Sequence, residues 1–182
     1  MIRLFEFFAS LIGLILLSPV ILIITIIGLF ETGSPFFVQH RVGKNKKIFS
    51  LVKFRSMKKS TADLPTHLVT ASLITKTGKL LRRTKLDELP QLINVFLGSM
   101  SLVGPRPCLP SQDELINERD KRHIFSIRPG ITGIAQINNV DMSEPKRLSR
   151  YDAIYLKQFS YKLYMFCIIS TITGKGQGDA IK

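Results

Sequence analysis

The chain contains no tryptophan and two cysteines, and its 13 acidic residues are outnumbered two to one by 26 lysines and arginines. Cys108 and Cys167 flank no metal-ligand spacing and suggest no disulfide framework, so a reduced, cytosol-facing protein is the simpler expectation. There is no internal repeat and no low-complexity linker. A secretory leader fits poorly, because Glu6 sits in what would be its positive region and no small-x-small cleavage pattern precedes Glu31. Without a tryptophan-rich surface, an aromatic-glycine signature or a recognised nucleic-acid motif, nucleic acid is not an expected partner despite the formal charge of +13 over 182 residues.

What the chain does have is an uncharged apolar run, Leu11–Phe30, interrupted near its midpoint by Ser18-Pro19. Its length suffices for a hydrocarbon core about 30 Å thick. Proline has no N–H and its ring clashes with the carbonyl four residues earlier, here Ile15, so the helix is expected to bend between Ile15 and Pro19. Two readings remain open on these residues: a spanning anchor with a tolerated kink, or two short legs that dip into one leaflet and return. The basic cluster behind the run (Arg41, Lys44, Lys46, Lys47, Lys53, Arg55, Lys58, Lys59) reads as cytoplasmic and is attracted to anionic headgroups. The roughly 150 residues beyond the run are enough for one compact domain of ordinary size.

Within that domain, Phe36–Arg41 and Ile48–Met57 are expected to pair as a β-hairpin around Gly43-Lys44-Asn45-Lys46. Asp63–Thr77 is weakly patterned with room for a short helix, whereas Leu89, Leu92, Ile93 and Phe96 recur at helical spacing within Thr84–Phe96. Ser101–Pro110 reads as a proline-stiffened loop, Ser111–Lys121 as a polar helix, and Arg128–Gly133 as a turn-rich segment incompatible with regular helix. Ser143-Glu144-Pro145 resembles a helix start with proline in its first turn. Tyr161–Ile172 is too short to span a bilayer and is either core or an interfacial helix.

Chemistry concentrates around Asp87-Glu88, where Pro90 in the first turn of a helix would put Asp87 near the N-cap. Adjacent carboxylates can hold a hard divalent cation through oxygen, or divide nucleophilic and acid/base labour; the plainer reading is a helix cap beside a solvated first-turn acid. Arg106, between Pro105 and Pro107, is a guanidinium on a constrained loop, suited to bidentate phosphate binding. Arg128 precedes Pro129-Gly130, and strand alternation puts Lys53 and Arg55 on one face. Each cation alone is an ordinary surface charge. A non-catalytic, membrane-tethered basic binding module is the alternative to an enzyme.

Four motifs in fixed order after the Ser-Pro helix carry a resemblance: Lys53-Phe54-Arg55-Ser56-Met57, Leu86-Asp87-Glu88-Leu89-Pro90-Gln91, Gly104-Pro105-Arg106-Pro107 and Arg128-Pro129-Gly130-Ile131-Thr132-Gly133. The chain resembles the bacterial sugar transferases called monotopic phosphoglycosyl transferases along nearly its whole length. The resemblance implies an α+β, mostly helical, monotopic membrane protein: residues 1–32 a re-entrant helix-hairpin broken at Ser18 and Pro19, residues 33–182 a cytosolic catalytic domain lying on the membrane face with a small β-hairpin and amphipathic interfacial helices. It implies a small single-domain enzyme, without the transmembrane helices that larger relatives carry ahead of this core, on the cytosolic face of the bacterial inner membrane and in contact with its phospholipid.

By the same resemblance a sugar phosphate moves from a UDP-sugar to undecaprenyl phosphate with release of UMP, the first membrane step in surface polysaccharide or glycoconjugate synthesis. Asp87 is then the expected nucleophile and Mg²⁺ ligand, and Glu88 the supporting acid. Lys53, Arg82 and Arg106 are expected phosphate ligands, with Arg128 and Arg41 as further candidates. Tyr151-Asp152 and Tyr155 match a family pattern too, although core packing explains the tyrosines equally well. The segment Ala135–Asp141 departs from the family by lacking an arginine often linked with the donor, which leaves the sugar open; an N-acetylated amino sugar is the expectation.

Overall fold

Pro19 ends the first helix by what it lacks. The Ile15 carbonyl, which would accept from an N–H at position 19, instead accepts from the Ser18 hydroxyl at 2.7 Å. In the computed structural model, which describes residues 2–58 and 73–176, helix α1 (Ile2–Leu16) and helix α2 (Ser18–Thr32) therefore meet at a 60° bend, where the sequence places it. The break is narrow, since Leu17 N still donates to Gly13 O and Ile21 N to Leu17 O, each at 2.9 Å. Helix α2 stops at Gly33, whose φ of 67° suits glycine and lets its N–H close on Leu29 O at 2.9 Å. Among the described residues no single helix is long and apolar enough to cross a membrane, but this bent pair passes that test together.

The chain continues through strands β1 (Phe36–Val42) and β2 (Ile48–Phe54), helices α3 (Lys76–Thr84) and α4 (Gln91–Leu97), strand β3 (Ser101–Val103), helix α5 (Asp113–Asp120), strand β4 (Gly130–Thr132), and helices α6 (Ile134–Ile137), α7 (Pro145–Lys157) and α8 (Tyr161–Ile172). The α+β, mostly helical class follows the expectation. Residues 63–72 of the weakly patterned stretch, and Lys59, lie outside the described residues; α3 covers the chain beyond it. Two compact units divide the protein, the described residues within 1–39 and 50–97 forming one and those within 40–49 and 98–177 the other. The apolar helices thus belong to the first unit, and the β1–β2 hairpin runs through both.

In the first unit α1 is packed inside out. Glu6 and Ser10 are buried and Gly13 lies close against Leu92 of α4, while Leu4, Phe8, Ile12, Ile15 and Leu16 are exposed. Arg3 contacts Glu6 at 3.4 Å and donates to the Phe96 carbonyl of α4 at 3.2 Å, and Phe7 stacks on Phe96 with centroids 4.8 Å apart. Helix α2 buries Ile24, backed by Val20 and Ile21, against Phe54, Leu81, Leu86 and Leu89. The hairpin forms as expected, with Asn45 and Lys46 in the left-handed region and Gly43 N closing on Lys47 O at 2.9 Å. Met57 leaves β2 for an isolated antiparallel bridge to Ile74.

In the second unit, the loop expected over Ser101–Pro110 begins as a strand. Ser101 and Val103 pair in parallel with Gly130 and Thr132, a register invisible to local pattern because the crossover through α5 separates the partners in sequence. Helix α5 falls within the expected polar segment, and α7 starts at Pro145 as its sequence suggests. Val42, Cys108, Leu115, Phe125, Ala135, Val140 and Leu148 form the core. Helix α8 turns Tyr164, Cys167 and Ser170 inward and leaves Tyr161, Met165, Phe166, Ile169 and Ile172 exposed, so it is core on one face and an apolar surface on the other.

Replacing Pro19 by alanine restores the N–H and should straighten the bend. Spin labels on Leu4→Cys and Phe30→Cys, at exposed positions on either side of the break, are expected to report a longer distance in Pro19→Ala by double electron–electron resonance. An unchanged distance would show that packing, and not the missing hydrogen bond, makes the bend.

Candidate active site

Asp87 and Glu88 sit on a 3-10 turn, Leu86–Glu88, and not at the cap of the helix that follows. The physical reason lies on both sides. Lys85 takes a left-handed conformation (φ 58°) that ends α3, and Pro90 cannot donate to Leu86 O, which accepts from Leu89 N at 3.2 Å instead. The i to i−3 pattern runs on through Leu92 N to Leu89 O and Ile93 N to Pro90 O before α4 is under way. Asp87 is 3 % exposed and Glu88 9 %, a burial that requires partners for both carboxylates; neither is without one. Leu86 and Leu89, flanking the pair, pack into the cluster built on Ile24 of α2, so the acidic turn is clamped to the helix beyond the break.

Polar contacts tie the surrounding strands and helices together. Asn94 of α4 imitates a strand edge, its Oδ1 accepting from Val52 N at 3.1 Å and its Nδ2 donating to Ser50 O at 2.8 Å. Arg82 Nε donates to Ser56 Oγ at 2.8 Å, which joins α3 to the end of the Lys53–Met57 motif. Gly78 is required on the same helix face, because a Cβ there would fall onto the Ser56 carbonyl. Lys53 is buried, with its ammonium 5.5 Å from the Phe37 ring centroid, and Arg55 approaches the same ring at 5.4 Å, as their expected common face implies. Arg55 also donates to Ser34 O and Phe36 O, a structural duty. Thus Lys53, Arg82, Asp87 and Glu88 all belong to the first unit.

A cavity of about 640 Å³ opens on the inner side of the helix break, lined by Leu14, Pro19, Leu22, Phe36, Pro90 and Ile93 among others. Its wall is almost wholly apolar, and it reaches the proline that follows the acidic turn. Among the described residues no group of three or more His, Cys, Asp or Glu side chains gathers into a ready-made metal cage. Two adjacent carboxylates do fit the lesser demand of Mg²⁺, which keeps several waters and completes its shell with substrate phosphates.

Arg106, Arg128 and Arg41 belong to the second unit. Arg106 is half-buried, and Arg128 Nε donates to Gly98 O at 2.8 Å. Arg41, expected as a phosphate ligand, is buried, with its Nη1 donating to the Pro107 carbonyl at 3.0 Å. Sequence reasoning missed Arg119, which is 2 % exposed and meets Asp152 through Nε–Oδ2 (2.9 Å) and Nη2–Oδ2 (2.8 Å). Burial pushes the Asp152 carboxyl above its ordinary value against the pull of the guanidinium. It also missed Asn94, although a lone amide amid Leu92, Ile93, Val95 and Phe96 was a signal.

The bacterial sugar transferase family matches residues 1–176 of this chain. The chain belongs to that family. Bacterial sugar transferases similar to it include an uncharacterized sugar transferase of Bacillus subtilis (strain 168), 37 % identical over 171 residues that cover 93 % of this chain and 84 % of that protein. The exopolysaccharide production protein PSS of Rhizobium leguminosarum bv. phaseoli is 36 % identical over 189 residues, 95 % of this chain and 94 % of that one. The UDP-glucose:undecaprenyl-phosphate glucose-1-phosphate transferase of Klebsiella pneumoniae is 38 % identical over 182 residues, which are 93 % of this chain but 39 % of that longer protein. Membership makes the protein a transferase and removes the reading of a non-catalytic binding module.

Asn94→Ala leaves a strand N–H and a strand carbonyl of β2 without their partner and should cost about 2 kcal/mol of stability. Asn94→Asp, which keeps the acceptor but sets a buried carboxylate oxygen against the Ser50 carbonyl, should cost at least as much. Thermal unfolding of the two variants against the parent measures the difference, and equal melting temperatures for all three would refute the strand-edge role.

Proposed function

We propose that this bacterial sugar transferase moves a sugar 1-phosphate from a UDP-sugar to undecaprenyl phosphate. The observation that carries the reading is the apolar cavity at the helix break ending at Pro90, beside a turn that holds two buried carboxylates. An isoprenoid tail needs an apolar slot, and its phosphate needs to end near the reacting group. Exposed Leu4, Phe8, Ile12, Ile15, Leu22, Ile23 and Phe30 on the bent pair favour seating that pair in the bilayer, as a monotopic insert on the cytosolic face of the inner membrane among its phospholipids.

An Asp87 carboxylate oxygen attacks the β-phosphorus of the donor. The bridging bond from that phosphorus to the α-phosphate oxygen breaks, its electron pair leaves with UMP, and a phosphosugar-aspartyl acyl phosphate remains. An oxygen of undecaprenyl phosphate then attacks the same phosphorus, releases the Asp87 carboxylate and gives undecaprenyl diphosphosugar. Glu88 supports the pair by handling the incoming phosphate. Lys53 and Arg82 are the first unit's cations proposed for the donor and leaving phosphates, and Arg106 and Arg128 are the second unit's own phosphate-ligand candidates. Mg²⁺, when bound, neutralises diphosphate charge, and Asp87 would hold it. For the donor, an N-acetylated amino sugar is the first candidate in a panel with UDP-glucose and UDP-galactose.

Asp87→Asn should abolish UMP release from every donor in that panel with undecaprenyl phosphate present. With donor alone, the parent should yield a peptide containing Asp87 heavier by one phosphosugar; an active preparation that never gives this adduct sinks the covalent route. Topology has its own measurement. Both native thiols are buried, and burial pushes Cys167 up to about 11, so they stay protonated and react slowly at neutral pH. A maleimide should therefore label Arg3→Cys and Glu31→Cys, at the polar ends of the pair, from the cytosolic side alone, and labelling of either from the periplasm would exclude the re-entrant insert.

A further inference from the structure

Four consecutive carbonyls of the second unit's proline loop each accept a hydrogen bond from a different residue of that unit. Pro105 O accepts from Gly130 N at 2.9 Å, Arg106 O from Arg119 Nη1 at 2.8 Å, Pro107 O from Arg41 Nη1 at 3.0 Å and Cys108 O from Val42 N at 2.9 Å. Within Gly104–Cys108 every residue is buried except Arg106. We infer that Arg119 and Arg41 are positioning residues, two buried guanidiniums that hold neighbouring carbonyls so that the loop presents Arg106 alone, preset for a phosphate.

The chemistry of the two side chains supports this assignment. A guanidinium that is 2 % exposed is costly unless it is paired, and Asp152 supplies the charge through Nε and Nη2 while leaving Nη1 for the Arg106 carbonyl. Only the planar fork can serve both partners at once; a lysine has a single nitrogen. For stability alone, an apolar pair of similar volume would do as well, so the retained ions need another reason. Holding Arg106 at its own carbonyl, between two prolines, removes backbone freedom that phosphate binding would otherwise have to take away. Arg41 holds the next carbonyl, that of Pro107, through its Nη1.

The inference rests on Arg106 being a donor-phosphate ligand, and a double-mutant cycle separates the two claims. Binding of UDP with Mg²⁺ to the full-length protein in detergent is measured by calorimetry for the parent, Arg106→Ala, Arg119→Lys and the double variant. Arg119→Lys is expected to weaken binding by about tenfold, and the double variant to bind no more weakly than Arg106→Ala, because Arg119 acts through Arg106. Parental affinity in Arg119→Lys, or losses that multiply in the double variant, would overturn the positioning role. If Arg106→Ala itself binds UDP normally, the phosphate role of Arg106 falls and the inference falls with it. Should Arg119→Lys lose cooperative melting, Arg41→Lys enters the same cycle with the same deciding outcomes.

Discussion

A single missing hydrogen-bond donor organises the first unit. Because Pro19 offers nothing to the Ile15 carbonyl and the Ser18 hydroxyl takes that place, α2 leaves α1 at 60°. The bend allows one helix pair to address two neighbours, α1 lying against α4 while Ile24 of α2 reaches Phe54, Leu81, Leu86 and Leu89. The cavity on the inner side of the bend and the clamp on the acidic turn are both consequences of it. In a straight helix the residues on either side of position 17 would diverge along one axis, and the turn at Asp87 would lose the leucine contacts that hold it.

Polar groups are kept inside and apolar ones turned out along α1, whereas α2 buries Ile24. Arg3, Glu6, Ser10 and Gly13 form the inner stripe of α1, and leucine, isoleucine and phenylalanine the outer. Small and polar residues at a helix interface with apolar side chains outside is the arrangement suited to lipid, where association depends on close packing and hydrogen bonds and the hydrophobic effect supplies no drive. A water-facing helix would show the opposite distribution. The same helix pair thus carries both an exposed apolar surface and the contacts that hold the acidic turn.

The second unit solves a different problem, that of holding an irregular loop still. Prolines restrict the backbone but remove donors, so its carbonyls must be met from elsewhere. Two arginines, a glycine N–H and a valine N–H meet them. The Arg119–Asp152 pair makes a buried cation tolerable at that spot, and Tyr155, whose hydroxyl donates to Val103 O at 3.2 Å, extends the same support to the strand before the loop.

Local chemistry in the sequence was enough for the break at Ser18-Pro19, the hairpin with its left-handed turn, the start of α7 at Pro145 and the order of motifs that carries the family. These depend on neighbours in the chain, on φ restriction, missing N–H groups and alternation, and such causes act over a few residues. The burial of Asp87 and Glu88, the strand-edge role of Asn94, the parallel pairing of β3 with β4 and the withdrawal of Arg41 beneath the proline loop were decided by tertiary structure. A charged side chain reads alike in sequence whether it meets water or a distant carbonyl. Which one it meets is set by packing between segments tens of residues apart, as the Arg41–Pro107 and Arg119–Asp152 contacts are.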